Sequence, residues 1–378
     1  MNILLSSFYF FYFSVVGVYI IFIPKVLTTF GYSAEQIGII FAAGPLVRFI
    51  LPMLFIRGLK LERKAFNISL IIMILSALAF YTFIENFYQL LLSNIFLGIG
   101  LGVTLPYIEV IALEKLGREN YGKIRLFGSL GFVLVALVLV NVLSSPIIAL
   151  EFLLLLTLAT AVFAFFIVHE LYKTNKQTKE ELQNDINLFK DWKLWFGLTL
   201  MQLSFGAFYN FFTIYATDNG ISLQVTIYLW SFGVAAEIIM FRYQARFLRS
   251  KLLLVLQITT LLTAFRWFLV FAYPQNIFVL YFSQSLHAFS FALFHSAAIA
   301  YLHQLYKHKA LAQQFFAGIT YGLGGFAGAL LSGVIYEQYP EYLFLSSSVI
   351  AFMSFGFIVL WKKVEEESIS LGIKPKDI

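Results

Sequence analysis

Cysteine is absent from this 378-residue chain, and charge is scarce: only 12% of the residues are Asp, Glu, Lys or Arg. Without cysteine there is no disulfide framework. An ordinary soluble domain carries roughly 25% charged residues, because its surface faces water. Half that share cannot coat a 43.2 kDa globule in which 60% of residues are hydrophobic and 44 are Phe. The mean hydropathy of +0.84 says the same, and a soluble enzyme is excluded. Also missing are a Walker sequence, a cluster of metal ligands and a nucleophile motif. The run Gly98, Gly100, Gly102 lies inside an apolar span, where its backbone donors are committed to a helix and not to a phosphate. No enzyme activity, cofactor or metal is expected.

What is present is a series of long apolar runs. The first, within MNILLSSFYFFYFSVVGVYIIFI, has no basic residue ahead of it and no small-residue cleavage site, so it reads as a retained membrane helix. Crossing the hydrocarbon core takes about 20 apolar residues. Such runs lie near 5–28, 37–56, 65–84, 88–112, 126–143 and 147–169, then near 194–215, 224–243, 252–272, 277–302, 311–336 and 342–361. The expected fold is all-α: a polytopic membrane protein of twelve transmembrane helices in two six-helix halves. These are residues 1–169 and 194–378, the second ending in a short tail. The segment 170–193, long and two-signed in charge, joins them. It reads as a solvated linker, with a regulatory or lipid-binding patch as the other reading.

Lys and Arg sort strictly by side. Of 26, 22 fall in 57–64, 114–123, 170–193, 242–251, 303–309 and 362–378, and none in the connections opposite. The positive-inside rule then places both termini and 170–193 in the cytoplasm. This sorting accounts for the pI near 9.2 without any nucleic-acid partner. The expected setting is the cell inner (cytoplasmic) membrane, with membrane lipids as the surroundings of a monomer.

The four remaining basic residues are Lys25, Arg48, Arg125 and Arg266. Lys25, at the outer end of the first span, is expected to snorkel to the interface. Arg48 and Arg266 lie 11 and about 14 residues into their spans, which at 1.5 Å per residue is roughly mid-bilayer. Glu109, Glu237, His287 and His295 are also intramembrane. A central charge costs at least about 2.5–3.5 kcal/mol, so such groups pair or face a polar cavity. Ion pairs that merely join helices would explain one or two of them; seven across six helices point to a polar centre. The pairs Gly318/Gly322 and Gly324/Gly328 have the small-xxx-small spacing of close helix packing.

Six stretches carry a family resemblance: GIIFAAGPLVRF (38–49), Pro106-Tyr-Ile-Glu109, YGKIRLFGSLGF (121–132), YLWSFGVAAEIIMF (228–241), FRW (265–267) and LHAFSFALFHSAAIAYL (286–302). Together they resemble the 3-phenylpropionate permease branch of the major facilitator superfamily, and more distantly the lactose permease and its oligosaccharide–proton symporter relatives. The resemblance implies an alternating-access, proton-coupled symporter with its substrate site near the midplane. It implies that Glu109 and Arg125 grip substrate, that Glu237 serves substrate and proton, and that Arg266 and His287 couple the two. Ser290 stands at the position of the lactose-type proton carboxylate. Asn210, Thr213, Gln284 and Tyr321 stand where two lysine–aspartate pairs would be, and Phe132 replaces a sugar-stacking Trp. Arg48 and His295 instead match the phenylpropionate-type relatives.

The expected substrate contacts are therefore Arg48, Glu109, Arg125, Phe132, Tyr209 and Asn210, with Tyr9, Tyr12 and Tyr19 as further candidates. The expected coupling residues are Glu237, Arg266, His287 and His295. The substrate reading is an aromatic or other monocarboxylate, such as a phenylpropionate-like acid. A nucleoside or oligosaccharide symporter, a drug exporter, and a non-transporting sensor or lipid-handling protein are the alternatives. Topology is open to test because the chain has no native thiol. A cysteine placed by Asn184→Cys should react with an impermeant maleimide only after permeabilisation; labelling in intact cells contradicts the orientation.

Overall fold

The computed structural model describes residues 2–56, 62–171, 188–249 and 251–370. Arg57 and Lys60 of the first basic cluster, residues 172–187 of the linker and residues 371–378 of the tail lie outside the described residues. Those described are overwhelmingly helical, with no strand among them. Lipid supplies no hydrogen-bond partner, so a spanning backbone must satisfy its own N–H and C=O groups, which a helix does within one segment.

In chain order the helices are α1 (2–29), α2 (Ala34–Ile56), α3 (Arg63–Thr82), α4 (Phe87–Gly117), α5 (Tyr121–Val142), α6 (Pro146–Leu171), α7 (192–218), α8 (Leu223–Tyr243), α9 (Leu252–Ala272), α10 (Ile277–Leu305), α11 (309–338) and α12 (Leu343–Ser370). Eleven helical stretches among the described residues are long and apolar enough to cross a membrane. The expected span 194–215 is the exception, because α7 is divided at Phe205 into Trp192–Ser204 and Gly206–Asp218. Helix α1 is interrupted at Phe22, just ahead of Pro24. Between α4 and α5 the chain turns at Gly117, whose φ of 69° and ψ of 165° favour glycine. Two short π-helical segments interrupt α10 (Ala288–Leu293) and α11 (Phe316–Leu323).

The helices pack as two units, Met1–Lys179 with Tyr209–Ser231, and Glu180–Phe208 with Phe232–Ile378. Residues 209–218 of α7 and the start of α8 thus group with the first unit. Their contacts there are specific. Trp230 donates to Thr213 Oγ1 at 3.1 Å and lies 6.5 Å from Phe132, centroid to centroid. Lys25, expected to snorkel, meets Asp218 Oδ1 at 3.1 Å. Both side chains stay substantially exposed, so this pair contributes no more than about 1 kcal/mol.

Within the first unit, α1 lies directly on α5. A side chain at Gly131 would collide with the Phe10 carbonyl, and one at Gly128 with the Phe13 ring and the Arg125 guanidinium. Ser14 Oγ bonds the Gly131 carbonyl across this seam at 3.1 Å. Tyr19 donates to Asn94 Oδ1 at 2.9 Å and Asn94 Nδ2 donates to the Ile40 carbonyl at 2.5 Å, tying α1, α4 and α2. Other hydroxyls, including Thr104, Thr157 and Thr160, only return to carbonyls of their own helix. In the second unit Gly324 and Gly328 of α11 pack on α7. Gly328 meets Gly206 backbone to backbone, immediately after the break at Phe205.

These contacts leave no room for added atoms, and overpacking costs about 1–3 kcal/mol or more. Gly131→Val and Gly206→Val are expected to lower the thermal midpoint of the detergent-purified protein sharply. Gly356→Ala, in open space within α12, should hold or slightly raise it.

Candidate functional site

Each unit carries one cluster of intramembrane charge. In the first, Glu109 of α4 and Arg125 of α5 come together, with Arg125 Nε 3.5 Å from Glu109 Oε1. Tyr121 donates to the same oxygen at 3.0 Å. Glycine at 128 opens the space in which the guanidinium lies over the Phe13 ring, 3.9 Å from its centroid. Both charged side chains remain about one-third exposed, so the pair is reachable.

Arg48 differs from these. It is exposed on α2, while its neighbours Val47 and Leu51 are buried against Val103 of α4. Among the described residues no hydrogen bond or ion pair holds its guanidinium. Tyr12 of α1 is within electrostatic reach of Arg48, Glu109 and Arg125, which places the three charges round one tyrosine. Tyr12 itself donates to the Leu101 carbonyl at 3.1 Å. Phe132 is half-buried beside Trp230, Asn210 is buried, and Tyr209 is half-buried. Tyr12, Phe13, Tyr121 and Trp230 are neighbours that sequence reasoning passed over or left at the margin; aromatic residues are too abundant in this chain to stand out.

The second cluster centres on Arg266 of α9, which has no exposed surface. Its Nη2 donates to Gln284 Oε1 at 2.9 Å, and its Nη1 donates to Ser290 Oγ at 3.0 Å and meets His287 Nδ1 at 2.9 Å. Phe208 and Trp267 lie against the guanidinium, 4.5 and 4.3 Å from ring centroid to Cζ. Glu237 of α8 reaches the other face of the imidazole, with Oε2 3.4 Å from His287 Nε2. Gln284 and Ser290 read as lost charges in the sequence; here they are ligands of the arginine. The available signal was their placement three residues either side of His287, which puts all three on one helix face.

The geometry also fixes a tautomer. A guanidinium only donates, so His287 Nδ1 must accept, and the ring proton belongs on Nε2, facing Glu237. His295 is not part of this group. Its Nδ1 lies 2.7 Å from Tyr321 Oη of α11, with Phe316 beside it, next to the two π-helical segments. Such segments are frequent at functional sites. Nitrogen NMR of histidine-labelled protein should show His287 as a neutral Nε2–H imidazole, and Arg266→Gln should release that preference.

Comparison with known proteins agrees with this architecture. Over 361 residues, the chain is 24% identical to the "Probable 3-phenylpropionic acid transporter" of Escherichia coli (strain K12), covering 91% of this chain and 93% of that protein. It is 25% identical over 279 residues to the "Uncharacterized transporter YwbF" of Bacillus subtilis (strain 168), covering 71% and 69%. Among solved structures, the nucleoside transporter NupG superimposes with a TM-score of 0.76 at 19% identity, covering 95% of this chain and 96% of that one. The POT family transporter PepTSo does so with a TM-score of 0.75 at 10% identity, covering 96% and 97%. The profile of the MFS_1 like family matches residues 2–346, and the chain belongs to that family, with the major facilitator fold.

Proposed function

We propose that this chain is a proton-coupled secondary transporter that imports a small monocarboxylate with an apolar or aromatic body. The observation that carries the reading is Arg48: a guanidinium in mid-span, exposed, held by no other described residue, and sharing Tyr12 as an electrostatic neighbour with an arginine and a glutamate that already pair with each other. A substrate carboxylate is its natural partner, because the guanidinium fork binds two carboxylate oxygens at once. The likeness to the "Probable 3-phenylpropionic acid transporter" supports the same choice. Glu109, Arg125, Phe132, Tyr209 and Asn210 complete the proposed substrate contacts.

Proton coupling is assigned to Glu237, with His287 and Arg266 behind it and His295 as an accessory group. Ser290 does not titrate, Arg266 stays charged, and His287 Nδ1 is engaged by Arg266, which leaves the Glu237 carboxyl as the group in this cluster that can exchange a proton. In this reading the protein acts as a monomer in the inner membrane, with two six-helix halves joined by 170–193 and both termini in the cytoplasm.

Substrate competition tests the carboxylate. Aryl and alkyl monocarboxylates should inhibit uptake and their amides should not. Arg48→Gln should weaken the acids about 10- to 100-fold, the worth of one or two charge-assisted bonds. Competition by nucleosides or neutral sugars in place of acids overturns the substrate assignment and leaves the transporter intact. Glu237→Gln should abolish proton-driven accumulation in vesicles while preserving exchange; full uphill transport by that variant removes Glu237 from the role.

A further inference from the structure

Asp191 is the most deeply buried acid among the described residues, 3% exposed, and it belongs to neither cluster. It lies just ahead of α7, outside the spanning segments, where its carbonyl accepts the first helical hydrogen bond from Trp195 N at 3.2 Å. Its side chain does something else. Oδ2 accepts from Tyr306 Oη at 2.5 Å, and that hydroxyl accepts from Trp195 Nε1 at 3.0 Å. The Trp195 and Tyr306 rings are stacked, 6.2 Å apart. Tyr306 follows the end of α10, so the three groups fasten the start of α7 to the end of α10. Phe315 of α11 closes over Trp195 at 6.5 Å, and Trp361 of α12 donates to the neighbouring Tyr301 at 2.7 Å.

The other oxygen, Asp191 Oδ1, is buried with no hydrogen-bond partner among the described residues. An ionised carboxylate has room for about four hydrogen bonds, and burying one with a single donor is unfavourable unless it is neutralised. The titratable or charged groups acting on Asp191 are Tyr306, through its hydrogen bond, and the adjacent Lys190; both favour the anion. From α11 and α12 the packing neighbours Phe315 and Trp361 carry no charge. Burial outweighs the two and raises the proton affinity of Asp191 above that of a solvated aspartate. Burial, together with the same hydrogen bond, pushes the Tyr306 hydroxyl up, so Tyr306 remains a donor at any physiological pH.

We infer that Asp191 is a second proton-binding site, separate from the Glu237 cluster, and that binding a proton there stabilises the clasp between α7 and α10. The sign follows from linkage. A carboxyl that binds its proton more tightly when clasped than when hydrated favours the clasp at low pH, and that contribution is lost as pH rises through the clasped range, above about 4. An acid stabilised as an ion by a cationic partner would show the opposite slope. The site does not depend on the substrate assignment, since no residue of either cluster takes part.

Hydrogen exchange of the full-length protein in lipid nanodiscs reads the clasp directly. Protection of backbone amides in 192–198 and 302–308, corrected for intrinsic exchange rates, should fall as pH rises from about 4, by up to about tenfold per unit, and level off once the clasped carboxyl is ionised. Asp191→Asn, neutral at every pH, should remove the slope, and Tyr306→Phe should lower protection at all pH values. A pH-independent profile in the unmodified protein overturns the proposal without any variant being needed. An unchanged slope in Asp191→Asn overturns it equally, by assigning the proton elsewhere.

Discussion

Arg266 is a permanently charged group with no exposed surface, inside a segment that crosses the membrane, and its surroundings follow from that requirement. Lipid offers nothing to a guanidinium, so its donors must be met by protein, and its planar faces by aromatic rings. Gln284, His287 and Ser290 meet the two terminal nitrogens from a single face of α10, while Phe208 and Trp267 cover the plane. The register of α10 against α9 is thereby fixed to within one hydrogen bond. Removing any acceptor leaves part of a buried charge unsatisfied, which is among the most costly of single changes.

The two clusters solve the same problem differently. Glu109 and Arg125 neutralise each other at a partly exposed position, with a tyrosine and a phenylalanine completing the arrangement. The Arg266 cluster disperses its charge over neutral acceptors and aromatic faces and meets a carboxyl through an imidazole. The first arrangement can exchange partners with little loss; the second resists rearrangement. A carrier needs both properties, one for a ligand that comes and goes and one for a fixed reference charge.

Much of this was legible in the sequence. Apolar runs near 20 residues and a one-sided distribution of Lys and Arg are coarse signals that survive any detail of packing, and they located the spans. A charge inside such a run stands out, so Arg48, Glu109, Arg125, Glu237, Arg266 and His287 could be named. Their partners could not all be named, because Gln284 and Ser290 carry no charge and resemble ordinary substitutions. The division of α7 at Phe205 was equally silent: it sits next to Gly206, which meets Gly328, and no local signal marks a contact with a distant helix. The pairing of Lys25 with Asp218 was silent too, because nothing local links residues so far apart in the chain.

The blocked Nδ1 of His287 has an energetic consequence for a carrier of acids. With the imidazole engaged and Ser290 unable to titrate, the cluster holds one carboxyl, and a carrier that took its proton there would move one proton in each cycle. A monoanion moving with one proton carries no net charge. The membrane potential, which does about 2.3 kcal/mol of work per unit charge at 100 mV, then does none on the pair. What remains is the pH difference, about tenfold in accumulation for each unit. Such a protein concentrates its substrate as far as the pH gradient allows, whatever the voltage.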